Sequence, residues 1–300
     1  SIKRYWLSLT ISIFQFFFPV PIYVSYEKEI KQKNRTIIIS NHLTNWDWLI
    51  ILIILKELKM YDHLCVIMKE SLKKIPIFGY GMKCFGYIFL KRNWIEDSST
   101  IHSGIDDLKK KKNYQILIYP EGTFLEEESY KKSIKFAENN NIIVNGEKFR
   151  PKHSLIPRKK GIDEIKDALF DNLEGIIDVT MFITPYKRYL TDQYSFFNIL
   201  FKKVPPPHFY FIIDEVKDTR SSDWLFETFY KKEKLLKELV DLHKPIEQIT
   251  TLAEFATFIN NLLSKKNQVF QKRIKTGWFM LYLIVFLIIC GTFINYCRFR

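Results

Sequence analysis

Short apolar runs bounded by polar turns alternate along the chain with stretches in which apolar residues return every three or four positions. The runs at 35–40 (Arg-Thr-Ile-Ile-Ile-Ser), 86–90 (Gly-Tyr-Ile-Phe-Leu), 114–119 (Tyr-Gln-Ile-Leu-Ile-Tyr), 175–183 and 208–215 are rich in β-branched and aromatic residues and predict strands. Helical spacing lies between them. Ile101, Ile105 and Leu108 follow a Ser98-Ser99-Thr100 start, and Thr251 with Glu254 makes a capping-box pattern ahead of Phe255, Ile259 and Leu262. A further apolar helix is expected to begin near Trp48. Such alternation predicts an α/β fold, a central mixed sheet covered by helices, whose strand order the pattern does not give. No internal repeat or low-complexity linker interrupts residues 25–270, which are expected to form one domain.

Two stretches have a different pattern. Residues 277–297, including Trp278, Phe279, Met280 and the run Leu281 to Ile289, contain no charged side chain. At ~1.5 Å per residue they are long enough to cross ~30 Å of hydrocarbon, and a C-terminal transmembrane helix is expected there. Residues 5–24 are also uncharged, but Ser8, Ser12, Gln15, Pro19 and Pro21 interrupt them. Residues 1–24 are therefore expected to be a hydrophobic membrane segment: a signal anchor, a re-entrant helix or a monotopic one, with no small-residue cleavage site. If both segments span, Lys28, Lys31, Lys33 and Arg35 flank the central domain on one side and Lys265, Lys266, Lys272, Arg273 and Lys275 on the other. That charge pattern places the domain in the cytoplasm.

Composition narrows the partners. With 47% apolar and 16% aromatic residues there is ample material for a core, and 46 Lys and Arg against 33 Asp and Glu leave a net charge of +13. Such a chain is attracted to anionic lipid or to nucleic acid. No nucleic-acid-binding motif is present, and the apolar segments favour the lipid bilayer. Cys65, Cys84, Cys290 and Cys297 have no paired spacing, so no disulfide framework and no metal site are expected. Cys65 and Cys84 lie in apolar stretches that suggest buried structural thiols rather than nucleophiles.

The candidate chemistry sits where strand runs end. Ser40-Asn41-His42-Leu43-Thr44-Asn45-Trp46-Asp47 joins the first strand run to the apolar helix. On one helix, residues five apart lie ~140° from each other and cannot meet. They can meet if His42 lies in the turn and Asp47 in the first helical turn, with Thr44 or Asn45 as cap. A carboxylate there fixes the imidazole tautomer and stabilises the imidazolium formed when the ring takes a proton. The competing reading makes Asp47 a partner of the helix dipole and His42 an ordinary turn residue. A second run ends in Gly86-Tyr87-Ile88-Phe89-Leu90-Lys91-Arg92 and a third in Tyr119-Pro120-Glu121-Gly122-Thr123. Arg92 offers a planar fork for phosphate, and Glu121 a hydrogen-bonding carboxylate; their bland alternatives are an exposed strand-end arginine and a turn chosen for its backbone.

Taken together, the three stretches resemble the glycerolipid acyltransferase family in residue type, order and spacing. Asn41 to Asp47 is similar to its His-x4-Asp motif, Gly86 to Arg92 to its Gly-x-x-Phe-x-x-Arg motif, and Pro120 to Thr123 to its Pro-Glu-Gly-Thr motif. Glu126 to Glu138 and Leu155 to Gly161 look like the branch holding lysocardiolipin and lysophosphatidylinositol acyltransferases, together with their 1-acylglycerol-3-phosphate acyltransferase relatives. Asp178 to Thr180 and His208 to Asp214 extend the resemblance, which covers roughly residues 35–245.

The resemblance implies an acyltransferase domain that uses acyl-CoA as co-substrate and no cofactor. His42 is then the base and Asp47 its partner, while Arg92, Glu121, Gly122 and Thr123 bind the acceptor's phosphate region. Asn41, Gly86, Phe89 and Pro120 support the motifs. Many phosphatidic-acid-forming members carry an arginine after Glu-Gly-Thr, where this chain has Phe124. A lysophospholipid with a larger head group, such as lysophosphatidylinositol or lysocardiolipin, is therefore the expected acceptor, with 1-acylglycerol-3-phosphate as the alternative. The expected location is the endoplasmic reticulum membrane. A non-catalytic, membrane-tethered lipid or acyl-CoA binding protein and a hydrolase are the rival classes. Oligomeric state, acyl-chain preference and the position acylated are not written in these motifs.

Overall fold

The computed structural model describes residues 2–17, 20–74, 78–91, 94–190, 194, 198, 207–264 and 267–272. Its elements in chain order are α1 (Ile2–Phe17), β1 (Ile22–Tyr26), β2 (Arg35–Ser40), α2 (Asp47–Glu57), β3 (Leu64–Lys69), α3 (Phe78–Cys84), β4 (Ile88–Leu90), α4 (Trp94–Lys109), β5 (Tyr114–Ile118) and α5 (Glu127–Asn139). A small hairpin of β6 (Ile143–Val144) and β7 (Glu147–Lys148) follows. Then come α6 (Lys159–Ala168), β8 (Gly175–Thr184), β9 (His208–Glu215), α7 (Trp224–Asp241), α8 (His243–Glu247), α9 (Leu252–Leu263) and β10 (Gln268–Lys272).

One eight-stranded sheet carries the fold, in the order β10-β1-β9-β8-β2-β5-β3-β4. From β8 to β4 neighbouring strands are parallel, whereas β9 is antiparallel to β8 and β10 to β1. The mixed sheet expected from the sequence is thus present, with its parallel part in the half that holds the motifs. Successive strand side chains point to opposite faces, and both faces are covered. Ile38 and Leu117 join α1 and α2 in one core, while Ile37, Ile39 and Ile116 join α4, α6 and the start of α7 in another. A third cluster packs α7, α8 and α9 on Tyr23, Tyr210 and Phe182. The helix α2 is apolar all round because it lies between the sheet and α1, so Leu49 to Leu55 are all buried.

Strands β2 and β9 occupy the predicted residues, and Thr251 caps α9 in a capping box with Glu254. The run 86–90 shortens to Ile88–Leu90 because Gly86, at φ 75°, makes the turn that closes α3. Strands β1, β3 and β10 were not anticipated. Ile22, Tyr23 and Val24 fell within an uncharged stretch that continues the apolar pattern of α1, yet they form a buried strand between β9 and β10. The helical part of that stretch, α1, has 16 residues. Among the described residues no helix is long and apolar enough to cross a membrane. The expected C-terminal span, 277–297, lies outside the described residues.

Candidate active site

Parallel neighbours bring their carboxyl ends to one edge of the sheet, and register decides which residues meet there. Ile39 of β2 is opposite Ile118 of β5. Three residues beyond each are His42 and Glu121, and the His42 N–H donates to Glu121 Oε2 at 3.3 Å. The His42 carbonyl accepts the Leu125 N–H at 2.8 Å, which ties the two post-strand turns together. On the other side of β2, Asn41 takes the place of a ladder residue: its amide donates to Met181 O at 2.9 Å and accepts the Met181 N–H at 2.8 Å.

The histidine and aspartate meet as the turn-plus-helix geometry requires. The carboxylate of Asp47 is 0% exposed and opens α2. It accepts the N–H of Leu43 at 2.6 Å, the N–H of Thr44 at 2.9 and 3.0 Å, and the Thr44 hydroxyl at 2.6 Å. His42 Nδ1 lies 2.9 Å from Asp47 Oδ2. A carboxylate only accepts, so Nδ1 carries the proton and Nε2 presents a lone pair. Nε2 has no partner among the described residues, and His42, 16% exposed, lines a cleft of about 700 Å³. The cap differs from expectation: Trp46 occupies that position, and Thr44 instead spends its hydroxyl on Asp47. The dipole-partner reading of Asp47 therefore holds, but alongside the contact with His42 rather than in place of it.

Aromatic rings set the plane of the imidazole. Tyr119 stacks on it with centroids 4.1 Å apart and planes at 20°, and Phe124 meets it edge-on at 5.6 Å. Beneath it Glu121 is buried, with Oε1 lacking a partner. Burial pushes its carboxyl well above the usual range, against the opposing pull of the Leu155 and His42 N–H groups. Gly122 sits at φ 72° and closes a turn on Tyr119 O, and Thr123 and Pro120 line the cleft beside it.

The Gly86–Arg92 motif is farther away. Strand β4 is separated from β2 by β5 and β3, roughly 14 Å at the usual strand spacing. Leu90 lines the cleft and Phe89 is buried, with Lys73 Nζ 5.3 Å from its ring centre. Arg92 lies outside the described residues. Cys65 is buried, as expected, and its thiol is pushed up to about 11 by burial. Cys84 departs from expectation: it is exposed, because α3 ends there and turns its last residues outward. Neither cysteine lines the cleft. Sequence reading passed over three cations that do, Lys69, Arg158 and Lys160. A lysine at the end of an unpredicted strand and the Arg158–Lys160 stretch carry no chemical signature until the fold brings them together. Among the described residues no group of His, Cys, Asp and Glu converges as metal ligands would.

A His-Asp pair thus stands at the carboxyl edge of an α/β sheet with Nε2 facing a roomy cleft, a geometry suited to proton transfer. A family profile described as Acyltransferase matches residues 21–184, from the approach to β1 through β8, and the chain belongs to that family of enzymes. An uncharacterized acyltransferase of Schizosaccharomyces pombe is 27% identical over 78% of this chain and 72% of its own length. Lysophosphatidylinositol acyltransferase 10 of Caenorhabditis elegans is 27% identical over 81% of this chain and 62% of its own. Lysocardiolipin acyltransferase 1 of Danio rerio is 30% identical over 59% and 44%. The chain thus spans about half to three quarters of the relatives it matches. Proteins named 1-acyl-sn-glycerol-3-phosphate acyltransferase also match. The crystal structure of the LPA acyltransferase PlsC from Thermotoga maritima covers 83% of each chain at 16% identity with a TM-score of 0.46, too loose a likeness to carry residue correspondences.

Proposed function

We propose that the chain transfers a fatty acyl group from acyl-CoA to the free hydroxyl of a lysophospholipid at a membrane. The observation that carries this reading is the His42–Asp47 pair with Nε2 open to the cleft. A thioester is already activated, so one displacement suffices. The acceptor oxygen attacks the thioester carbonyl while Nε2 takes its proton; the C–S bond then breaks, and the thiolate of CoA leaves and recovers that proton from the imidazolium. Asp47 holds the tautomer throughout and stabilises the charged ring. Arg92, Glu121, Gly122 and Thr123 are assigned to the acceptor's phosphate region.

A diester acceptor such as lysophosphatidylinositol or lysocardiolipin is favoured by Phe124, whose ring meets His42 edge-on and offers no charge to a phosphate monoester. The second reading, 1-acylglycerol-3-phosphate as acceptor, draws on relatives with that name. Incubating the purified chain in mixed micelles with radiolabelled acyl-CoA and a panel of lysophospholipids tests class and acceptor together. Label in phospholipid is expected, with His42→Ala at least ~10²-fold slower. Label in free fatty acid identifies a hydrolase; no turnover in either product identifies a binding protein. Near-normal transfer by folded His42→Ala removes the base assignment, and a preference for 1-acylglycerol-3-phosphate over every diester removes the head-group assignment.

A further inference from the structure

The turn that bears Glu121 has a second occupant. A Cβ built at Gly122 would lie 3.3 Å from both Cζ and Nε of Arg158, so the guanidinium rests directly over the glycine. Glycine is needed here twice, for its φ of 72° and for this approach. Arg158 lines the same cleft as His42.

The segment leading to Arg158 is held from several sides. The N–H groups of Lys152 and His153 donate to Glu233 Oε1 at 2.6 and 2.9 Å, and the Ser154 hydroxyl donates to Glu233 Oε2 at 2.8 Å. The Ile156 N–H donates to the Ser133 hydroxyl and the Arg158 N–H to Pro120 O, each at 2.8 Å. Yet no carboxylate pairs with the Arg158 guanidinium among the described residues. Asp97, which also lines the cleft, is engaged by the Lys91 N–H at 2.7 Å. A fixed platform under an unneutralised planar fork suits an incoming oxyanion rather than an internal partner.

We propose that Arg158 holds the acceptor's phosphate and thereby sets the acceptor hydroxyl against His42. This rests on the acyltransferase reading above. In a glycerophospholipid the free hydroxyl lies only a few bonds from the phosphate, so the phosphate must bind close to the imidazole. Arg158 lines the same cleft as His42 and rests on the glycine that follows Glu121, whose Oε2 accepts the His42 N–H. It supplies a cation near the position where Phe124 provides none, and from a different segment. CoA also carries phosphates, so the shared chemistry has two sources.

Steady-state kinetics of the full chain in mixed micelles, with oleoyl-CoA and lysophosphatidylinositol varied in turn, separates them. Arg158→Gln is expected to raise the acceptor KM by about ten- to a hundred-fold, the effect of losing a charge-assisted pair, with kcat within a few-fold and the oleoyl-CoA KM unchanged. Arg158→Lys, which keeps the charge and loses the fork, is expected to fall between; it also carries the test if Arg158→Gln does not fold. Monoacylglycerol, which has no phosphate, should lose nothing on substitution, a result that a merely structural role would not give. A rise confined to the oleoyl-CoA KM overturns the proposal in favour of CoA phosphate, and unchanged constants overturn it outright. A wild-type chain without transfer activity overturns the acyltransferase reading instead, so the two failures are distinguishable.

Discussion

Glu121 is buried with one of its two carboxylate oxygens lacking a hydrogen-bond partner. Asp47 has four donors around it, whereas Glu121 Oε1 has none. Its carboxyl is held well above the usual range by burial, so the folded chain binds this proton more tightly than the unfolded chain does. The sign follows: this residue's stabilisation is complete below the ordinary glutamate range and is lost as pH rises from there through the raised value. Glu121→Gln is neutral at every pH and should remove that slope. Urea unfolding of both proteins from mildly acidic to mildly alkaline pH is expected to show a wild-type decline that the variant lacks. Equal slopes would mean that Glu121 is ionised in the fold. The sequence offered Glu121 as a motif residue, but the burial that raises its carboxyl, and the Leu155 and His42 N–H groups that oppose it, come from packing with distant segments.

At the scale of elements, the site depends on the divergence of β2 from β8. Asn41 lies just beyond the end of β2, and its side-chain amide continues the pairing with Met181 that a backbone would otherwise make. It is fully buried, so Asn41→Ala leaves a donor and an acceptor on β8 unsatisfied. The expected loss is about 2–4 kcal/mol in urea unfolding, with the His42 turn loosened as well. A loss below about 0.5 kcal/mol would show that water replaces the amide. Another pairing is invisible in sequence. Lys232 of α7 is fully buried, lies 2.6 Å from Asp178 Oδ1 and donates to Val179 O at 2.6 Å, fastening a helix to β8 from beneath. Nothing in a Lys-rich amphipathic helix distinguishes that lysine from its solvated neighbours.

The whole molecule couples a basic chain to an apolar entrance helix. In α1, Leu7 and Ile11 are buried while Ile2 and Tyr5 are exposed. Stable membrane attachment is proposed to reside in residues 277–297. After high-salt and alkaline washing the chain should remain in the membrane fraction, because salt screens a charged surface but not a spanning helix. Deleting residues 277–300 should release it while leaving acyl transfer in micelles, since the three motifs lie upstream. Complete release of the intact chain by salt alone would point to surface attachment through its net charge of +13.

Local pattern and chemistry by themselves determined the α/β class, the positions of β2 and β9 and the capping box of α9, and allowed a meeting of His42 with Asp47. Each follows from neighbours within a few residues: side-chain alternation, a cap, or a turn that lets two residues five apart share one helix end. What only the tertiary structure decided depends on strand order and register. These brought Glu121 under His42, Asn41 onto Met181 and Arg158 over Gly122, contacts that span 36 to 140 residues of chain. They also drew Ile22–Tyr26 into the sheet, because a strand and an apolar membrane segment share the same composition until a partner strand is present to pair with one of them.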